Sequence, residues 1–176
     1  MVPRRFYHIS KVDLGETIVL KAKMPASAHQ EHGKPRVCFA PTLWQCVHSI
    51  VGQKPPISYH DVIADFLWEI RASKTRPQTH TANPAVYVTH KRLTPATSGV
   101  SDFDYTNEHW SLSDIEVQRF GYLDLEAMLF RRTLTLTPHR DASLDVTIRQ
   151  TINAMFQSRI KMLEPRNVRD KRLSRR

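Results

Sequence analysis

The pattern of apolar and polar positions changes its period in the middle of one short stretch, residues 36–50. The first half, Arg36 to Ala40, is a short apolar run typical of a buried strand. The second half begins with Pro41 and Thr42, and threonine is a residue type that commonly caps the N-terminus of a helix. Its apolar residues then recur at the spacing of one helix face: Leu43, Cys46, Val47 and Ile50. The spacing therefore predicts a strand that runs directly into a helix.

Such a junction directs the unpaired N–H groups and the positive dipole end of the helix beyond the end of the strand. That arrangement suits a phosphate, a carboxylate or a diphosphate. A packed turn between a strand and a helix has the same spacing, so the pattern alone leaves both interpretations open.

Apolar runs and turn residues elsewhere in the chain predict further elements. Strands are expected at 6–10, 17–20, 85–89, 110–112 and 115–125, with a bulge or turn at Gly121. A weak capping box, Ser58 with Asp61, predicts a helix to about residue 72. Residues 129–137 alternate well enough for a strand, although 127–132 fit a helix equally well. Residues 24–35, 73–84 and 94–107 have the composition of loops. Ser143 caps a last predicted helix, which Pro165 ends.

These elements predict an α+β fold of two small, mostly antiparallel sheets packed at an angle, with flanking helices. The core strands are expected at 6–10, 36–40, 85–90 and 115–124. We expect one α+β domain over residues 1–137, a C-terminal amphipathic helix over 138–165 packed on it, and a basic tail over 166–176.

Composition narrows the class of protein. No apolar run approaches the roughly 18 to 20 residues of a membrane helix, and the N-terminus does not resemble a secretory signal. Cys38 and Cys46 have the pattern of buried thiols in a reducing compartment, so we expect a cytoplasmic protein without a membrane partner. The net charge of +9 favours a nucleic acid or an acidic protein as a partner. The basic tail either binds such a polyanion or is solvated.

Few sequence motifs point directly to chemistry. His29 and His32 have the spacing of some metal ligands, but no second ligand pair follows at a usable distance, so no zinc site is predicted. The chain has no Walker loop, no dinucleotide-binding glycine fingerprint and no Ser-His-Asp order.

Four segments together carry a resemblance: 6–10 (FYHIS), 36–43 (RVCFAPTL), 85–88 (AVYV) with the acidic loop after it, and 116–123 (EVQRFGYL). Their order and spacing resemble the small bacterial and phage proteins of the ADP-ribosyltransferase fold, the rifampin ADP-ribosyltransferases in particular. The resemblance covers roughly residues 6–126. It implies an ADP-ribosyltransferase-like split of two antiparallel sheets, with NAD as a substrate.

The resemblance also implies roles for single residues. His8 falls where the family's His contacts the adenosine ribose, and Ser10 where a neighbouring residue contacts the cofactor. Arg36 and Phe39 are also expected to bind the cofactor, whose diphosphate would lie near residues 36–42. Cys38 stands where the family usually has the Tyr that stacks on nicotinamide. A thiol has no ring face, and Phe39 cannot simply replace it because adjacent strand residues point to opposite faces.

For the catalytic acid, which would position the nucleophile and stabilise the oxocarbenium-like centre, the resemblance leaves three candidates: Asp102, Asp104 and Glu108. Three functions follow as hypotheses. One is an NAD-dependent mono-ADP-ribosyltransferase that modifies a protein, a nucleic acid or a small molecule. The second is a non-catalytic protein of the same fold with a basic binding or structural role. The third is a nucleic-acid-binding protein, for which the chain offers charge but no recognised motif.

Overall fold

The computed structural model describes residues 5–25, 34–52, 58–71, 83–96 and 103–140, together with Gln150 and Ala154, which are helical. The chain divides into two compact units, 1–143 and 144–176. The predicted C-terminal helix and basic tail lie outside the described residues, apart from those two positions, as do His29 and His32. The predicted domain boundaries stay a prediction.

The first unit mixes strands with short helices. Its strands are β1 (Phe6–Ser10), β2 (Thr17–Leu20), β3 (Val37–Phe39), β4 (Ala85–Thr89), β5 (Thr94–Pro95), β6 (His109–Ser111), β7 (Ile115–Leu123) and β8 (Leu136–Thr137). Its helices are α1 (Leu43–Val51), α2 (Tyr59–Arg71) and α3 (Phe103–Thr106), followed by a short π-helical segment (Ala127–Arg131). None of the helices in the described part of the chain has the length and apolar character needed to cross a membrane.

The strands form two antiparallel sheets. The larger sheet has the order β1-β4-β7-β2, with β8 also paired to β7, and the smaller has the order β3-β6-β5. The sheets meet at two described bridges. Tyr7 of β1 and Ala40 after β3 exchange two backbone hydrogen bonds of 2.8 and 3.0 Å, and Lys23 after β2 and Arg36 before β3 exchange two of 3.1 and 2.9 Å. The predicted mixed α+β class with antiparallel sheets is confirmed.

The two predicted helix starts that fall within the described residues are also confirmed, whereas the third, at Ser143, lies outside them. The hydroxyl of Thr42 accepts the N–H of Gln45 at 3.2 Å at the start of α1. The hydroxyl of Ser58 accepts the N–H of Asp61 at 3.1 Å and donates to its carboxylate at 2.6 Å at the start of α2. Each cap satisfies an N–H group that the first helical turn leaves without an intrahelical partner.

The core lies between elements of both sheets. Phe6, Tyr87 and Val117 of the larger sheet share one buried cluster with Val37 and Phe39 of the smaller sheet. The helices bury their own apolar stripes, and the side chains with almost no exposure include Val47 of α1 and Val62, Ile63, Phe66 and Leu67 of α2. Burial of about twenty-five side chains is thus shared between sheet and helix contacts.

Gly121 forms the predicted bulge. The pairing of β4 with β7 shifts between Val86 and Tyr87, and the φ of Gly121 is 152°. A Cβ atom at this position would lie 3.2 Å from the carbonyl oxygen of Thr137. A residue without a side chain is therefore required where β8 approaches β7.

Two stretches differ from the simple prediction. Residues 94–107, expected to form one loop, contain β5 and α3. Because β5 is a two-residue edge strand containing Pro95, which lacks an N–H, its composition does not distinguish it from a loop. In residues 127–137, the predicted helix and the predicted strand both occur, one after the other. A helical segment ends where Arg132 adopts a φ of 54°, and β8 follows.

Candidate active site

A cleft opens where β1 and β3 separate. The two strands share the Tyr7–Ala40 bridge, and beyond it lies a cavity of about 110 Å³. Its walls come from β1, from the end of β3 and from α1, and they include His8, Cys38, Cys46 and Ser49. The site thus lies at one of the two described bridges that pair backbone groups at the ends of strands from the two sheets.

His8 spans this cleft. Its Nδ1 lies 2.9 Å from the carbonyl oxygen of Cys38. In a strand, the backbone groups of every second residue face the same neighbouring strand. The carbonyl of Cys38 therefore faces β1, as the backbone groups of Ala40 do. The imidazole therefore satisfies a carbonyl that a continued ladder would have paired.

The hydrogen bond also defines the chemical state of His8. A carbonyl oxygen only accepts, so Nδ1 carries the proton. Burial lowers the pKa of His8, and the bond to Cys38, which acts in the opposite direction, offsets only part of that effect. The ring is thus neutral near pH 7, with Nε2 as an acceptor.

Cys38 lies between the cleft and a polar cluster on the smaller sheet. It is paired directly with Trp110 across β3 and β6. Burial raises the pKa of the Cys38 thiol well above its usual range, and the charge and hydrogen bonding of Glu108 raise it further, while Arg36 acts in the opposite direction. Cys38 is accordingly a neutral thiol rather than a nucleophilic thiolate.

Glu108 immediately precedes β6 and is buried. Its Oε1 accepts a hydrogen bond of 2.6 Å from the indole nitrogen of Trp110. On the same indole, the guanidinium carbon of Arg36 lies 4.2 Å from the ring centroid, a cation–π contact. Glu108, Trp110, Arg36 and Cys38 therefore form one connected cluster beside the cleft.

The structure brings most of the sequence-predicted site residues together. His8, Cys38 and Phe39 line the cavity, and Cys38 interacts with Glu108, which precedes β6, and with Arg36, which precedes β3. Phe39 is almost fully buried, and its ring centroid lies 5.7 Å from that of His8. Much of the Phe39 ring thus belongs to the core.

The remaining predicted residues lie elsewhere or outside the description. The hydroxyl of Ser10 donates to the carbonyl of Val12 at 2.7 Å in the turn after β1, and Ser10 does not line the described cavity. Asp102 lies outside the described residues, and of Asp104 only the helical backbone in α3 is described. Glu108 is therefore the one candidate acid whose side chain has a described environment.

Sequence reasoning missed the part played by Cys46. Its thiol donates to the carbonyl of Tyr7 at 3.2 Å and so attaches α1 to β1 at the cleft. Burial raises the pKa of Cys46 to about 12, which keeps the donor proton in place. The apolar stripe of α1 gave the only available signal, because it already placed Cys46 on the buried face.

A second polar cluster, also missed, lies on the larger sheet. Asp13 accepts two hydrogen bonds of 3.0 Å from Arg119 and one of 2.7 Å from the hydroxyl of Tyr122. Burial alone would raise the pKa of Asp13, but the bonds from the N–H of Gly15, from Tyr122 and from Arg119 outweigh it and hold the pKa well below its usual value. We call these residues the Asp13 cluster; it fixes the turn between β1 and β2.

Neither cluster has the composition of a metal site. Across the described ranges, no group of three or more His, Cys, Asp or Glu residues is arranged to hold a metal ion.

No protein-family model matches the chain, and comparison with curated proteins and with solved structures likewise finds no match.

Proposed function

We propose that the protein is an NAD-dependent mono-ADP-ribosyltransferase with an ADP-ribosyltransferase-like arrangement of split antiparallel sheets. One observation carries the proposal: His8 and Cys38, the two positions that the resemblance assigns to NAD, lie on facing strands and are joined by a 2.9 Å hydrogen bond at the cleft. Residues 30 positions apart in the chain are thereby brought to one place, as an NAD site at the split between the sheets requires.

The size of the cavity fits part of NAD. A cavity of about 110 Å³ is smaller than the roughly 300 Å³ or more of typical small-molecule sites, and close to the roughly 150 Å³ that holds one benzene ring. We infer that it encloses one ring, the nicotinamide, while the diphosphate and adenosine extend along the open part of the cleft. The Nε2 acceptor of neutral His8 would then receive a hydrogen bond from a ribose hydroxyl.

Glu108 is the preferred catalytic acid. In the proposed reaction, the bond between nicotinamide and ribose C1′ breaks, and nicotinamide leaves with the electron pair. The carboxylate stabilises the positive charge that develops on the ribose and then accepts the proton that the acceptor nucleophile loses as it bonds to C1′. The indole bond from Trp110 would hold the carboxylate in position for this step.

Calorimetry with NAD and a nicotinamide-release assay test the proposal. His8→Ala should weaken NAD binding by roughly 1 to 3 kcal/mol, because it removes a hydrogen bond to the ribose. Glu108→Gln keeps the size of the side chain, so it should leave NAD affinity within about threefold while nicotinamide release falls by at least about a hundredfold. Lys11→Gln, an exposed change in the turn after β1, is the matched control.

Each result distinguishes the alternatives. An absence of wild-type binding at millimolar NAD would defeat both the substrate and the catalytic assignment. Nicotinamide release that survives in Glu108→Gln would transfer the catalytic role to Asp102 or Asp104. Binding without release by the wild-type protein would instead support the second candidate function.

That second candidate is a non-catalytic protein of the same fold that binds an acidic protein or a nucleic acid. Two observations favour it: Cys38 provides no ring to stack on nicotinamide, and the Glu108 carboxyl already has partners in Trp110 and Cys38. If the basic tail supplies the binding surface, affinity for a nucleic acid should fall steeply with added salt and should drop on truncation after Glu164. Unchanged affinity after truncation would exclude that role for the tail.

A further inference from the structure

A second cavity, of about 380 Å³, lies at the connection between β4 and β5. Among the described residues, it shares none of its lining with the cleft at His8. Its lining consists of Phe6, His90, Lys91, Arg92, Leu93, Pro95 and His109. The volume falls within the roughly 300 to 1,000 Å³ of sites that enclose small molecules.

The backbone holds three basic side chains at the mouth of this cavity. The segment 90–93 passes from the larger sheet to the smaller one, and the hydroxyl of Thr89 accepts the N–H of Lys91 at 3.2 Å, which fixes the turn. His90, Lys91 and Arg92 are exposed, whereas the next residue, Leu93, is buried and anchors the segment. These basic side chains are therefore presented from a constrained turn.

The floor of the cavity is aromatic and apolar. The rings of Phe6 and His109 are packed with their centroids 4.6 Å apart, and both residues are buried. The Nδ1 of His109 lies 2.8 Å from the carbonyl oxygen of Asn107, and because that oxygen only accepts, Nδ1 is the donor and the ring is held in place. An apolar floor beside basic groups matches a molecule with one flat end and one anionic end.

We infer that this cavity binds a small phosphorylated ligand of the size of a nucleoside monophosphate. Every ionisable side chain among the described residues that line it is basic, so this part of the lining presents a phosphate with positive rather than negative groups. Arg92 offers a planar guanidinium that pairs two N–H groups with two phosphate oxygens, and Lys91 adds a second full charge. The base would lie against Phe6 and Leu93. The inference does not depend on the proposed NAD site.

Calorimetry at fixed ionic strength with adenosine monophosphate, adenosine and inorganic phosphate tests it. We expect adenosine monophosphate to bind at least tenfold more tightly than either fragment, because only the intact molecule uses both ends of the cavity. The double variant Lys91→Gln with Arg92→Gln should lose at least tenfold in affinity, and Lys11→Gln less than twofold.

Three outcomes would overturn the inference. One is an absence of adenosine monophosphate binding at millimolar concentration, and another is an affinity that the double variant leaves unchanged. The third is a single-stranded oligonucleotide that binds through Lys91 and Arg92 where the mononucleotide does not, because the surface would then serve a nucleic-acid backbone. Far-ultraviolet circular dichroism of the variants shows whether each remains folded.

Discussion

The imidazole of His8 donates a 2.9 Å hydrogen bond to the main-chain carbonyl of Cys38, at the point where β1 and β3 stop pairing. The bond lets the two sheets separate without leaving that carbonyl unsatisfied, which would cost about 1 to 3 kcal/mol. The same side chain that holds the cleft together therefore also lines it. A test of His8 must separate these two roles.

The variant His8→Asn makes that separation. The amide nitrogen of Asn can take the place of Nδ1 and donate to the Cys38 carbonyl, but Asn has no group in the place of Nε2. We expect His8→Asn to retain most of the unfolding free energy that His8→Ala loses, about 1 to 3 kcal/mol. Both variants should weaken NAD binding. Denaturant unfolding at pH 7.5 measures the first effect, and equal losses in both variants would show that the bond does not support the fold.

The pH dependence of stability gives a second test of His8. Because its pKa is lower in the folded than in the unfolded protein, protonation favours unfolding. The contribution of neutral His8 to the free energy of unfolding is fully present above about pH 6.5. It is lost as the pH falls below that value and through the lowered pKa of the folded protein. His48, whose pKa is also lowered by burial, contributes with the same sign. Between pH 7.5 and 5.5, the wild-type protein should therefore lose more unfolding free energy than His8→Asn, and identical losses would contradict the assignment.

The Asp13 cluster should stabilise the protein above the usual pKa of an aspartate. The pKa of Asp13 is lowered on folding, so its contribution to the free energy of unfolding is present above about pH 4 and is lost as the pH falls further. Asp13→Asn should cost about 1 to 3 kcal/mol near pH 7, because it removes the charge that Arg119 and Tyr122 bind. Glu16→Gln is the control: that side chain is 88% exposed and lies 3.5 Å from Arg119, so its change should stay within about 0.5 kcal/mol. Urea titrations at pH 7 and pH 3 should show the cost of Asp13→Asn shrinking at the lower pH.

Gly121 and Gly52 form a matched pair of positions that separates the cost of the close backbone approach at the bulge from the cost of a positive φ angle. Both have positive φ angles, 152° and 66°, but an added Cβ at Gly52 would meet no atom within 4 Å, whereas at Gly121 it would lie 3.2 Å from a backbone oxygen. Gly52→Ala should therefore cost about 1 kcal/mol from backbone strain. Gly121→Ala should cost about 2 kcal/mol or more, because Thr137 must also move. Equal thermal unfolding temperatures for the two variants would refute the role of the close approach.

Local signals in the sequence were sufficient for much of this fold. The caps at Thr42 and Ser58 and the bulge at Gly121 each depend on residue types within a few positions of one another, and each is confirmed. The pairing of strands is different, because it joins distant segments. Asp13 and Arg119 are 106 positions apart, and no local period connects them. The two-residue strand β5 was missed because it is too short to have a period.

The sequence named some residues of the candidate site but could not show which others lie beside them. The resemblance named His8 and Cys38 together, but it left three acids without a choice, because α3 was not predicted and the partner of the strand predicted at 110–112 could not be inferred from composition. The antiparallel pairing of β6 with β3 is what brings Glu108 to Cys38. The cavity at Lys91 and Arg92 gave no signal as a site, because two basic residues in a turn are common on any protein surface.

The coupling between Glu108 and Cys38 leads to the last prediction, the reactivity of a thiol. Burial and the Glu108 charge both raise the pKa of Cys38, so little thiolate exists at pH 8 and alkylation of the folded protein should be slow. Glu108→Gln removes the charge and should speed the reaction of Cys38 with iodoacetamide by roughly three- to tenfold, since the rate follows the thiolate fraction. Cys46, which is buried and donates to Tyr7, should stay protected, and peptide mass spectrometry distinguishes the two thiols. Glu116→Gln, an exposed change on β7, should leave the rate unaltered. If Glu108→Gln left the rate of Cys38 unchanged as well, the carboxyl would not be acting on the thiol, and Glu108 would lose its assigned place beside the cleft.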